Sequence, residues 1–291
     1  MRHTQFNMPF MIQLLTLWLI TGSGAHVASA QDVEQAEVTT AKEVEDSKKD
    51  AKEKEDSTEP AGRTEYMGRK IAQTMHYTGA RWLTRETRER QEDCTTMLKN
   101  LGAKKGMTIC DLGCGNGFYS LRLAEIVGKD GKILAVDIQP EMLHLLELRA
   151  KEENVSNIRP VLGTLSNPHL PTAAVDLILC VDVYHELSHP ERMLDHLHKS
   201  LKPDGQIVLV EFRAEDPDVP IKKLHKMSKD QCIKELAANG FALKRSFDEL
   251  PWQHMLFFGK DIAVLADSRK SGSRAEMPDK EAENLPKFGQ Q

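Results

Sequence analysis

From residue 107 onward, short apolar runs alternate with stretches whose apolar positions recur at helical spacing. The pattern predicts strands at 107–112, 133–137, 158–162, 176–181 and 206–212, with helices at 118–127, 140–150 and 191–201 between them. Gly128 ends the first of these helices, and Lys202-Pro203-Asp204-Gly205 breaks the third. Pro140 opens the second at the first-turn position, where a missing N–H costs nothing. Asp176-Leu177-Ile178-Leu179-Cys180-Val181 is almost continuously apolar, which implies burial on both faces. A loop, 213–226, leads to a helix opened by Ser228, with Gln231 placed to complete a capping box, and Asn239-Gly240 stops it. Two last strands, near 241–247 and 253–259, flank Asp248-Glu249-Leu250-Pro251 as a hairpin. The fold class expected is α/β: a mainly parallel sheet, closed by a C-terminal antiparallel hairpin strand, with helices on both faces.

Upstream, residues 64–106 read as a helical lead-in to this region, 107–260. Tyr66-Met67-Gly68-Arg69 opens it, Ile71, Met75, Trp82 and Leu83 are its apolar anchors, and Thr84 to Leu101 reads as one long polar helix. Its place is over the mouth of the site, and its aromatic and Met positions are read first as packing against the sheet.

Composition adds the ends. Residues 31–63 are dominated by Glu, Lys, Asp, Ala, Ser and Thr, too polar to offset ordering entropy, and are expected to be a solvated linker. Within 31–59, eleven acids face five lysines, a local −6 against −5 for the whole chain, so the remainder is near neutral. No basic stripe is present, which argues against nucleic acid as the default partner. In residues 1–30, Arg2 and His3 precede an apolar run from Phe10 to Ile20 and then Ala28-Ser29-Ala30. That order predicts a secretory signal peptide removed after Ala30, with an uncleaved signal anchor as the alternative; the run is short for a stable membrane span. Cys94, Cys110, Cys114, Cys180 and Cys232 are odd in number, without paired spacing, and read as small buried side chains. This stands against export, since exported proteins tend to use disulfides. Residues 261–291 are polar and break-rich, and are expected to be disordered.

The stretch that carries chemistry is Ile109-Cys110-Asp111-Leu112-Gly113-Cys114-Gly115-Asn116-Gly117, a strand running into a glycine turn with a helix opening at Phe118. A dinucleotide fingerprint needs glycine where Phe118 stands, so a nicotinamide-dependent oxidoreductase is disfavoured. Asp-x-Gly-x-Gly-x-Gly after a strand resembles motif I of the class I S-adenosylmethionine-dependent methyltransferases. Asp137 closes the next apolar run 20 residues beyond Gly117, where a carboxylate can accept both hydroxyls of a ribose.

The resemblance covers about residues 100–260 and implies a Rossmann-like fold with a seven-stranded sheet and S-adenosylmethionine as cofactor. It implies that Asp111, Gly113, Gly115 and Gly117, with Cys114 inside the turn, cradle the methionine part, that Asp137 holds the ribose and that Ile138 packs on the adenine. Cys180 ends the fourth strand at the same rim. Family members commonly carry Gly-Asp after the third strand; here it is Gly163-Thr164, so Thr164 is kept only as a possible contact.

After the fourth strand, Asp182-Val183-Tyr184-His185-Glu186 leads toward an acceptor pocket. Methyl transfer is an in-line displacement governed by positioning. For a hydroxyl or amine acceptor His185 is the candidate base, Asp182 a group to orient or deprotonate an amine, and Tyr184 a pocket wall. The competing reading is that His185 and Glu186 only cap the following helix. Asp182, His185, Glu186 and Glu211 show no tight ligand spacing, so no metal is predicted. The run from Glu211 to Pro217, with Leu224-His225-Lys226-Met227 and the upstream Tyr66-Met67-Gly68-Arg69, is similar to that of a bacterial group of methyltransferases whose acceptor is unnamed. The function expected is methylation of a small-molecule acceptor, with a non-catalytic S-adenosylmethionine-binding protein as the rival.

Overall fold

The computed structural model describes residues 61–261. The signal segment, all but the last residues of the acidic linker and the tail beyond 261 lie outside the described residues.

The lead-in is less helical than its sequence suggests. It opens with a β-hairpin, β1 (Glu65–Tyr66) against β2 (Arg69–Lys70). Met67 and Gly68 both take positive φ, 47° and 96°, the requirement of a type I′ two-residue turn. A 3-10 segment, Tyr77–Thr84, follows, and then two short helices, α1 (Arg88–Glu92) and α2 (Cys94–Leu101), where one long helix was expected. Asp93 divides them: its φ is 48°, and its carboxylate accepts the Thr96 N–H at 3.1 Å, so it caps the second helix and ends the first.

The alternation then runs as predicted: β3 (Thr108–Leu112), α3 (Phe118–Val127), β4 (Lys132–Asp137), α4 (Pro140–Glu152), β5 (Ile158–Leu162), β6 (Val175–Val181), α5 (Pro190–Ser200), β7 (Leu201–Phe212), α6 (Lys229–Ala238), β8 (Phe241–Phe247) and β9 (Gln253–Lys260). The strand β7 starts five residues earlier than the apolar run predicted, because Leu201 pairs with Val175 across a register shift. Ser228 caps α6 by accepting the Gln231 N–H at 3.2 Å. Only half of the predicted capping box forms, since the Gln231 amide donates to Met67 O and Glu235 Oε1.

The seven strands lie in the order β5-β4-β3-β6-β7-β9-β8. The first five are parallel; β9 is antiparallel to β7 and β8 antiparallel to β9, as the terminal hairpin predicted. Period-2 alternation sends the two faces of the sheet into separate cores. Ile109, Ile133, Leu177, Leu179, Val208 and Phe257 pack with α2, α3 and α4. Cys110, Leu134, Ile178, Cys180, Leu209 and Phe258 pack with α5 and α6. Both faces being covered is why the central strands read as unbroken apolar runs. All five cysteines are buried in these layers and free.

From β3 the chain winds outward through β4 to β5, and from β6 it winds the other way through β7. The crevice at the carboxyl ends of β3 and β6 is therefore the switch point at which open α/β sheets bind ligands.

Candidate active site

The glycine turn between β3 and α3 is shaped by both backbone and space. The N–H groups of Gly113 and Cys114 both donate to Val136 O, at 2.8 and 2.9 Å, which pins the turn to the end of β4. Gly113 has φ +69°, and a Cβ there would lie 2.5 Å from Val183 Cγ2. Gly117 has φ +81°, and a Cβ there would lie 2.8 Å from Leu146 Cγ. Neither position tolerates a side chain without a shift of its neighbours.

Beside this turn Asp137 is 7% exposed. Its Oδ2 accepts the Gly115 N–H at 2.9 Å and its Oδ1 the Gln139 N–H at 2.9 Å. Burial raises its pKa, while the backbone donors Gln139 and Gly115 pull the other way. The two oxygens offer about four lone-pair sites and Ile138 adds a third backbone donor, so the carboxylate retains acceptor capacity toward the cavity that Asp137 lines.

That cavity, about 780 Å³, lies at the switch point, within the range of small-molecule sites. Its cofactor-side wall includes Gly113, Gly115, Asp137, Ile138, Thr164 and Leu165. Met75, Trp82 and Leu83 of the lead-in line it as well, as its expected place over the mouth of the site implies. The Gln139 amide clamps the segment above the site, accepting from Tyr77 N at 2.8 Å and donating to Met75 O at 2.9 Å. Arg88, also on the cavity wall, is buried and held by Glu92 Oε2 at 2.8 Å and Leu83 O at 2.7 Å.

The far wall carries the polar cluster that follows β6. Asp182 has φ 54°, and both its oxygens accept from the Gln253 amide, at 3.0 and 2.8 Å. Burial, with Glu92 and Glu211 nearby, pushes its carboxyl well up. His185 is 2% exposed, its Nδ1 2.7 Å from Glu211 Oε2. In the neutral imidazole whose Nδ1–H is donated to this carboxylate, Nε2 keeps its lone pair. Burial alone lowers the His185 pKa, but Glu211 and Glu186 more than offset it and the net shift is upward. His185 Nε2 faces His225 Nδ1 at 3.1 Å and Glu186 Oε1 at 3.8 Å. Burial holds Glu186 up to about 7 and lowers His225.

A family model described as "Methyltransferase domain" matches residues 103–256, just over half of the chain. The chain belongs to the methyltransferase domain family. A demethylmenaquinone methyltransferase of Lactococcus lactis is 29% identical over 126 residues, covering 43% of this chain and 49% of that protein. An uncharacterized methyltransferase of Bacillus subtilis, YcgJ, is 24% identical over 188 residues, covering 64% of this chain and 73% of its own. Among solved structures, a SAM-dependent methyltransferase from Aquifex aeolicus superposes with a TM-score of 0.60 at 25% identity, covering 64% of this chain and 98% of that one. This chain thus spans about half the length of the Lactococcus relative and nearly all of the Aquifex one. The Aquifex protein is by its name dependent on SAM, that is, S-adenosylmethionine. The residues present fit that group: the floor at Gly113 has no room for a Cβ, and Asp137 offers acceptor capacity beside it.

Within the methyltransferase site, the structure brings Gly113, Gly115, Asp137, Ile138, Thr164, Asp182 and His185 onto one cavity. The Thr164 hydroxyl oxygen accepts from the N–H groups of Ser166 and Asn167, so it is engaged by its own loop. Four of the expected cofactor residues, Asp111, Cys114, Gly117 and Cys180, do not line the cavity: Cys114 and Cys180 are buried in opposite cores, and Gly117 packs toward Leu146. Tyr184, expected to wall the acceptor pocket, points into the core with its hydroxyl donating to Glu235 Oε2 at 2.9 Å. Arg88 is a cavity residue that sequence reasoning passed over, and His225, named there only within its run, is another cavity residue.

Asp111 supports the turn from beneath, accepting the Ser120 hydroxyl at 2.6 Å. Burial raises its pKa from 3.8 to about 6, with Ser120 and Arg88 pulling the other way. The folded protein therefore holds this proton more tightly than the unfolded chain does. The stability contributed is full below pH ~4, is lost as pH rises to about 6, and is level above that. In Asp111→Asn this component is gone, so the unfolding free energy of the variant relative to the parent rises by on the order of 2 kcal/mol between pH ~4 and ~6.5. Urea denaturation across that range checks it, and a pH-independent difference contradicts it.

Proposed function

We propose that the protein transfers the methyl group of S-adenosylmethionine to a small-molecule acceptor bound in the same cavity. The observation that carries this reading is the placement of Asp137, with unused acceptor capacity, on one cavity with the glycine turn and the His185 cluster. Gly113, Gly115 and the Asp137 carboxylate would hold the cofactor's amino acid and sugar, with Ile138 and Leu165 as the apolar surface for its base. Bound there, S-adenosylmethionine supplies an electrophilic methyl carbon on a sulfonium sulfur. The protein's own contribution is chiefly orientation and exclusion of water. Leu83 and Trp82 cover the cofactor side, and His185, fixed by Glu211, presents Nε2 toward the acceptor side as the atom able to take its proton.

A small acceptor is supported by the confined cavity and by a relative whose name gives demethylmenaquinone as what it methylates. The leader pattern ending at Ala30 supports export as the destination. Among the described residues no helix is long and apolar enough to cross a membrane.

Calorimetric titration of the protein with S-adenosylmethionine, its demethylated product and NAD tests the reading. Binding of the first two without NAD is expected, followed by methyl release when acceptor pools are added. Tight binding without release over broad pools favours a non-catalytic binding protein, and binding of NAD alone overturns the assignment.

A further inference from the structure

The 3-10 turn after β6 and the loop after β7 bring three ligand-type atoms together at the cavity edge. His185 Nε2 lies 3.1 Å from His225 Nδ1 and 3.8 Å from Glu186 Oε1, and the last two are 3.9 Å apart. A point equidistant from atoms so placed is about 2.1 Å from each, and zinc lies about 2.0–2.2 Å from imidazole nitrogen and carboxylate oxygen.

We propose that His185, Glu186 and His225 bind a divalent transition-metal ion of the zinc class, with an open position facing the acceptor cavity.

Three further features fit a metal better than a plain imidazole contact. His185 gives its Nδ1–H to the Glu211 carboxylate, 0% exposed, at 2.7 Å. A carboxylate behind a histidine fixes the tautomer whose other nitrogen coordinates, the usual support of a ligating imidazole. Glu211 Oε1 is buried without a hydrogen-bond partner, and Glu186 is a second acid in the same place, so a cation that displaces the protons held here would find two carboxylates to balance it. All three ligand residues line the one cavity, where a fourth ligand has access. Two imidazoles and one carboxylate suit zinc or iron(II) and do not select magnesium or calcium. An acceptor whose oxygen or nitrogen fills the open position would be held on the His185 side of the cavity. With the ion bound Nε2 is a ligand, so coordination of the acceptor replaces the imidazole as what eases loss of its proton. That last role rests on the methyl-transfer reading; the metal site itself does not.

The test uses the full chain, stripped with EDTA and titrated with zinc(II), and with cobalt(II) as a spectroscopic probe. One zinc per chain is expected, with the visible bands of a low-coordinate cobalt site. His225→Ala and Glu186→Gln should weaken zinc at least tenfold, and Glu211→Gln by about 10–100-fold, as carboxylates behind ligating histidines do. His76→Ala, on the exposed lead-in, should leave it unchanged. His225 sits on a half-exposed turn, so its variant is expected to fold, and circular dichroism verifies that. Zinc binding no tighter in the parent than in His225→Ala, or cobalt spectra that remain octahedral, overturns the site and leaves two hydrogen-bonded histidines. Titrating the same samples with the demethylated cofactor separates the outcomes: zinc without nucleoside refutes only the methyl-transfer reading, and nucleoside without zinc refutes only the metal.

Discussion

Asp137→Asn is expected to lower the affinity for S-adenosylmethionine and its demethylated product by about a hundredfold. The substitution keeps the volume and one carbonyl oxygen but turns the other oxygen into a donor. In the parent both oxygens already accept backbone N–H groups, from Gly115 and Gln139. An amide nitrogen must therefore face either one of those N–H groups or the sugar. If it turns inward, donor meets donor at the turn; if outward, a single acceptor serves the ribose. Hydrogen bonds to a charged partner contribute about 1.5–3 kcal/mol each, and each ~1.4 kcal/mol is a factor of ten in affinity. Losing one, together with the charge, gives the hundredfold figure. Calorimetry reads it directly, and equal affinity in parent and variant removes Asp137 from the cofactor site.

Arg69→Ala has the largest expected effect on stability. The Arg69 guanidinium meets Glu235 through two contacts, 2.6 Å from Nε to Oε1 and 3.1 Å to Oε2. The Glu235 side chain is 0% exposed. Removing the arginine leaves a carboxylate in the core with only neutral donors, Tyr184 and Gln231, beside it. Breaking a buried pair in this way costs about 3–5 kcal/mol, a large part of the ~5–15 kcal/mol that holds a domain together. Arg69→Ala with Glu235→Gln should recover most of the loss, because a neutral amide still accepts from Tyr184 and needs no counter-charge. Urea midpoints of the single and double variants decide it; equal midpoints would show that the buried charge is not the cause. Arg69 also donates to the carbonyls of His185 and Tyr184, so the single variant additionally frees the turn that carries His185.

The parts of this fold legible in the sequence are those set by neighbours along the chain. Strand periodicity, Pro140 at a helix start and the caps at Gly128 and Ser228 are local, and all are found in place. The glycine turn and Asp137 were legible because they sit on consecutive strands of one β-α-β unit. The lead-in misled because its apolar stripe keeps helical spacing through Asp93, whose left-handed backbone breaks it; Asp followed at three residues by Thr was the available cap signal. Met67-Gly68 likewise carried half of a hairpin signature. Tyr184 and His185 are adjacent, and which of them faces the cavity depends on a tight 3-10 turn that no periodicity describes. His225 was marked only as part of a run shared with similar methyltransferases, and Arg88 only by its i,i+4 spacing from Glu92; neither sign pointed to the cavity. His225 reaches His185 from 40 residues away, and Arg88 is set in place by its own ion pair with Glu92.

The winding of the sheet in two directions divides the chemistry in two. Gly113, Asp137 and Thr164 hang from the strands that run one way from the centre, and Asp182, His185, Glu211 and His225 from those that run the other. On the proposed function, the strand-borne groups that choose the acceptor and those that grip the nucleoside fall on separate stretches of chain, after and before about residue 180. A chimera that exchanges only the later stretch would inherit a new acceptor while keeping its old methyl donor. Divergence among such proteins has a natural seam along which to proceed.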